Sequence, residues 1–224
     1  MASNGREIQG ETVTTLQVVS PDQWAAARDE LRVQEAAEAK ARAAVNAARR
    51  RLPAVKVEKD YAFEGPEGTV SLLQMFAGRR QLITYHFMFD PDWKQGCPYC
   101  SHIIDNVGHQ AHLRALDTTF AIVSQAPMSK IEPFRTRMGW SIPWFSLAGN
   151  DFNYDFHSKA EKSERGGLNV FLRDGESVFH TYSAYDNEID LHMLDSSYVD
   201  LAPLGLSGYE EPRSWPMHHD KYDS

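Results

Sequence analysis

The chain has 224 residues, 42% of them hydrophobic, so it can bury a core and is not biased toward disorder. Its 31 acidic residues against 23 Lys and Arg leave a formal net charge of -8, which argues against nucleic acid or an anionic membrane surface as a partner. "MASNGREIQG" has no apolar run behind a basic cluster, no stretch approaches the length of a membrane span, and two cysteines are not a disulfide framework, so a cytoplasmic protein is expected.

Residues 1–19 read as a loose leader. A helix is predicted over 20–53. Ser20 is suited to cap it, Pro21 to its first turn, and Gln23 to complete a capping box; Pro53 ends it. Trp24, Leu31, Val45 and Leu52 recur at multiples of seven with Ala27, Ala41 and Ala48 between them, but Gln34 and Glu38 interrupt the seam. So thin a stripe calls for burial against the same domain or a second subunit, and a homodimer is expected.

A domain over 54–205 follows. Val55–Val57 and "TVSLL", joined across "GPEG" at 65–68, read as paired strands. "QLITYHFMF" (81–89) and "TTFAIVSQA" (118–126) are apolar enough to be central strands, and "IPWFSLA" (142–148) a third. "CSHIIDNVGHQAHLRAL" between the first two reads as one helix, and "MSKIEPFRTRMG" as another with a kink or break at Pro133. "LNVFLRDGESVFHTYS" is a hairpin turning at Asp174-Gly175. The chain from Ile189 onward reads as irregular, and 206–224 as a docking tail held by Trp215 and Met217. These elements describe an α/β fold in which strands 81–89 and 118–126 are parallel neighbours. Loops at the carboxyl ends of such strands build sites, which would bring Cys97, Cys100, Trp93, Tyr99, Gln125, Asp151 and Tyr154 to one rim.

Both cysteines lie in "GCPYCSH". Between a buried strand and a helix, Cys97-Pro98-Tyr99-Cys100 is a redox signal. Cys97 would sit where unpaired helix N–H groups favour a thiolate, and Cys100 one turn on could resolve a mixed disulfide. Metal is the alternative, with His102 joining the pair, and an inert pair is the third reading. His102, Asp105, His109 and His112 would share one helix stripe, read as a solvated face. His218, His219 and Asp220 offer a metal site or a docked tail, and Asp151 and Asp155 a proton relay or a turn.

Long stretches carry a family resemblance: "YAFEGPEGTVSLLQMFAGRRQLITYHFMFDPDWKQGCPYCS", "APMSKIEPFRTRMGWSIPWFSLAGNDFNYDF", "VFHTYSAY", "YVDLAPLG" and "WPMHHDKYD". The chain resembles a mostly bacterial family known as domain of unknown function 899. The resemblance implies a thioredoxin-like fold with a peroxiredoxin-type N-terminal hairpin, here with an added long N-terminal helix. Two features depart from better-known thioredoxin-like families. Where those carry a cis-proline before the hairpin, this chain has Gly166, Gly167 and Leu168; where peroxiredoxins carry Thr or Ser three residues before the reactive cysteine, it has Lys94. The expected function is thiol–disulfide exchange through Cys97 and Cys100 with a protein or small-molecule thiol or disulfide, without a cofactor. Trp93, Tyr99, Gln125, Asp151 and Tyr154 are the expected substrate contacts. A metal-binding protein and a non-catalytic interaction module are the alternatives.

Overall fold

In the computed structural model of the chain, which describes residues 17–147, 149–156, 165–185, 187–190, 192–203 and 216–222, Ser20 opens helix α1 (Pro21–Arg49). Its hydroxyl accepts from the Gln23 amide, and the Gln23 side chain accepts from the Ser20 N–H at 3.0 Å, closing the expected capping box. The helix buries none of its residues. Most of the expected leader and residues 206–215 of the expected tail, Trp215 included, lie outside the described residues.

Strand β1 (Val55–Lys56) corrects the predicted pairing. It does not join "TVSLL" but pairs antiparallel with β8 (Ser177–Tyr185) at one edge of the sheet. The hairpin across "GPEG" is instead β2 (Ala62–Gly65) with β3 (Gly68–Ser71), at the opposite edge. Leu72 and Leu73 are not strand, because Ser71 caps a short helix, α2 (Leu72–Met75), with its own capping box to Gln74.

The centre is β4 (Gln81–His86), flanked by β5 (Thr118–Ser124) in parallel and β7 (Gly167–Asp174) antiparallel. With β6 (Trp144–Ser146), the order is β1-β8-β7-β4-β5-β6-β2-β3. A parallel β4–β5 unit with a helical crossover, and an antiparallel β7–β8 hairpin on the other side of β4, is a thioredoxin-like fold. Every residue of β5 is buried, which explains its unbroken apolar reading.

The alternation of β5 separates two layers of core. Phe120 and Ile122 face Tyr85, Cys100, Ile104, Phe134 and Trp144; Ala121 and Val123 face Phe63, Leu82, Phe152 and Phe171. Helices α3 (Pro98–Asp105) and α5 (Met128–Arg137) cover the first face, whereas α2 and α6 (Phe152–Phe156) cover the second. Pro133 lies within α5 without ending it. The single helix expected after the cysteines is two: α3 ends at Asn106, and His109 caps a separate α4 (Gln110–Ala115) by accepting from the Ala111 amide at 3.2 Å. The region after Ile189 is less irregular than expected, since α7 (Asn187–Asp190) and α8 (Leu194–Val199) follow β8. No helix among the described residues is long and apolar enough to cross a membrane.

Candidate active site

Strand β4 delivers the chain to the cysteines through a loop pinned at both ends. The Cys97 amide donates to the Met88 carbonyl at 3.0 Å, and the Ala126 amide to Phe89 at 2.7 Å. Pro98 then occupies the first turn of α3, where its missing N–H costs nothing, so Cys97 becomes the N-cap residue. The Ser101 amide and hydroxyl both donate to the Cys97 carbonyl, each at 3.0 Å. Cys97 is half-buried, whereas Cys100, one turn in, is fully buried; both are free thiols.

The surroundings of Cys100 decide its chemistry. Its sulfur accepts from the Met88 amide at 3.4 Å and lies beside the Tyr85 hydroxyl and the Cys97 sulfur. Burial pushes the Cys100 thiol well above its ordinary pKa, and the hydrogen bond and charge of Cys97 push the same way. The Tyr85 hydroxyl and Met88 amide pull against this, because both stabilise a thiolate. Burial also raises Tyr85, a fully buried residue, well above the ordinary phenol value. At neutral pH Cys100 is therefore a protonated thiol.

Gly166, just ahead of β7, closes the site from the other side. A Cβ there would lie 2.9 Å from the Tyr85 hydroxyl and 3.6 Å from the Cys100 sulfur. The position at which other thioredoxin-like chains were expected to carry proline thus holds a residue with no side chain, whose open side faces the buried sulfur. No cis peptide occurs among the described residues.

The loop before Cys97 is braced by distant residues. Lys130 donates to the Pro91 carbonyl, and to that of Trp93 at 3.0 Å. Arg137 donates to the Gln95 side chain at 3.3 Å and forms a two-pronged ion pair with Asp220 at 2.8 and 2.7 Å. His218 is buried, with its Nε2 2.8 Å from the Gly96 carbonyl and its ring against Phe134. Gly96 tolerates no side chain, since a Cβ would lie 2.5 Å from the Phe87 ring. The tail docks through His218, not through Met217, which is exposed.

The expected rim assembles only in part. Cys97 and Cys100 meet; Trp93 is 42% exposed in the loop before them, and Gln125 is half-buried at the end of β5. The Tyr99 hydroxyl donates to Asp190. Asp151 and Tyr154 do not join the site. Their loop leaves the same sheet end but turns into the opposite layer, because Phe152 is buried there against Tyr61, Phe63 and Phe171. Lys59 holds Asp151 at 2.9 Å and Asp155 at 2.8 Å, and Tyr154 is exposed. The histidine stripe is solvated only in part, with His109 and His112 exposed. His102 is buried and bonded to Asp195, Asp105 pairs with His219 at 2.9 Å, and His109 belongs to another helix. No group of three or more His, Cys, Asp or Glu able to hold a metal occurs among the described residues.

A family model described as "Bacterial protein of unknown function (DUF899)" matches residues 13–222. The chain belongs to that family. No curated protein matches this DUF899 chain. Among solved structures it is similar to peroxidoxin BcpB of Mycobacterium tuberculosis, with 14% identity over 68% of this chain and 96% of that one, at a TM-score of 0.48. It is also similar to a Xanthomonas campestris peroxiredoxin Q, with 14% identity over 62% and 88% at 0.43. A third is a mitochondrial 2-Cys peroxiredoxin of Plasmodium falciparum, with 10% identity over 66% and 92% at 0.43. Such scores carry no function to the DUF899 chain, and its thioredoxin-like fold rests on the strand order given above.

Proposed function

We propose that the chain is a thiol–disulfide oxidoreductase working through Cys97 and Cys100. The observation that carries this reading is the asymmetry of the pair: a half-buried sulfur at a helix start backed by a fully buried thiol beside it. In the forward direction the Cys97 thiolate attacks a substrate disulfide, forms a mixed disulfide and expels one substrate thiolate. Cys100 then loses its proton and attacks the Cys97 sulfur. The second substrate thiol leaves, and the two cysteines end as a disulfide, having given up two electrons. A dithiol of the same chemical class returns the pair to its reduced state.

Proton removal from Cys100 is the demanding step. Neither carboxylate nor imidazole is among the neighbours described for its sulfur; Asp151, the expected relay, is engaged with Lys59, and His102 with Asp195. The Tyr85 hydroxyl and the Met88 amide support the thiolate once formed. Small disulfides and flexible peptide disulfides suit this site, because no cis-proline shapes a groove beside Cys97 and the glycine in its place offers only backbone.

The test is exchange with a small aromatic disulfide followed by trapping. Cys97→Ser should abolish turnover, and Cys100→Ser should accumulate a mixed disulfide on Cys97, read by mass. Alkylation of both thiols at the rates of the denatured chain near neutral pH would overturn the proposal.

A further inference from the structure

Helix α1 runs 29 residues, about 43 Å at helical rise, without burying one of them. It touches the domain near its C-terminal end, where Arg49 lies over the Tyr182 ring at 5.3 Å. Its seam is left in water: Trp24 is 63% exposed, Leu31 47% and Val45 50%. An amphipathic stripe that the domain does not cover requires another occupant.

The sequence of α1 says which. Its large seam residues and its alanines are related by reflection about residue 36. In that register, antiparallel to a second copy, Trp24 faces Ala48, Leu31 faces Ala41, and Val45 faces Ala27. Each large side chain meets a small one, which is the complementarity a close helix pair needs. The two interruptions also meet each other, Glu38 against Gln34, where an amide can donate to a carboxylate. Charge follows the same reflection. Residues 21–38 carry five carboxylates against two arginines, while residues 39–52 carry five cations and no carboxylate. An antiparallel pair sets each acidic half along a basic half, whereas a parallel pair would set like on like and Glu38 on Glu38.

We propose that α1 is a dimerisation arm, pairing antiparallel with α1 of a second copy in the register symmetric about residue 36. The interface is isologous, so it closes at two copies. It is independent of the cysteine chemistry, which lies on the domain itself.

The experiment uses the full chain with Cys97 and Cys100 replaced by serine, so that only engineered thiols react. Leu31→Cys with Ala41→Cys should give a covalent dimer under mild oxidation. Neither single variant should, because like positions are then about 15 Å apart along the pair, beyond disulfide reach. Cross-linking by Leu31→Cys alone would mean a parallel pair and overturn the proposal. In the otherwise native chain, Trp24→Glu with Val45→Glu should raise the dimer dissociation constant by at least about tenfold with the domain's circular dichroism unchanged. A monomeric mass for the native chain at high micromolar concentration, or a dimer indifferent to this double substitution, would equally overturn it. Added salt should weaken the dimer, since the halves attract through exposed charge.

Discussion

Tyr85 and Tyr61 stand on opposite layers of the sheet, and burial raises the phenol of each above its ordinary pKa. Their partners differ. Tyr85 lies beside a buried thiol, and the interactions described for it add to the effect of burial rather than offset it. Tyr61 donates at 2.7 Å to Asp155, a mostly exposed carboxylate. Burial works against the charge of Asp155, but hydrogen bonds from Lys59 and Tyr61 hold its pKa below the usual carboxylate value. One layer thus keeps its ionisable groups uncharged; the other keeps charge at the surface, where water shares the work.

The largest effect is expected from the contact that crowds the buried sulfur. Gly166→Ala places a methyl group 2.9 Å from the Tyr85 hydroxyl, an overpacking worth about 1–3 kcal/mol. Its denaturation midpoint should fall, and Tyr85→Phe in the same chain should recover part of the loss, because the clashing oxygen is gone. Additive losses in the double variant would refute the close approach.

Tyr85→Phe alone should lengthen the life of the mixed disulfide by about tenfold, since the hydroxyl that stabilises the Cys100 thiolate is missing. Quenched-flow mass spectrometry reads this directly. Tyr61→Phe should leave that lifetime unchanged and cost about 1 kcal/mol of stability.

A smaller effect concerns pH. Cys100 binds its proton more tightly folded than unfolded, so its contribution to stability is complete below the unfolded thiol value of about 8.5 and is lost as pH rises toward the folded value. Between pH of about 8.5 and 10, before tyrosines titrate, the native chain should lose stability more steeply than Cys100→Ala. Equal slopes would show that the thiol is not desolvated. The smallest response should come from Lys59→Ala, whose ion pairs with Asp151 and Asp155 are exposed: a slight shift in melting temperature that vanishes in added salt.

The cysteine pair, the central strand and the crossover were legible because each is local: an apolar run, a proline in a first helical turn, a spacing of three. Long-range partners were not. Tyr85 read as one more apolar strand residue, and nothing in its neighbourhood says that Gly166 will pack over it from across the β4–β7 ladder. Asp151 was placed at the correct end of the sheet and in the wrong layer, because topology fixes where a loop starts and the burial of Phe152 fixes which way it turns. The histidine stripe assumed an unbroken helix; Asn106 ends α3 and spends its side-chain oxygen on the amides of Leu194 and Asp195. That last contact needs α8, which periodicity near Ile189 did not suggest.

His218 reaches Gly96 across 122 residues of chain. Synthesis runs from the first residue onward, so β4, both cysteines and α3 leave the ribosome long before that imidazole exists. The loop before the cysteine pair therefore waits for this contact until the last residues are made. The tail's contact with the loop before Cys97 is thus among the last that synthesis makes possible.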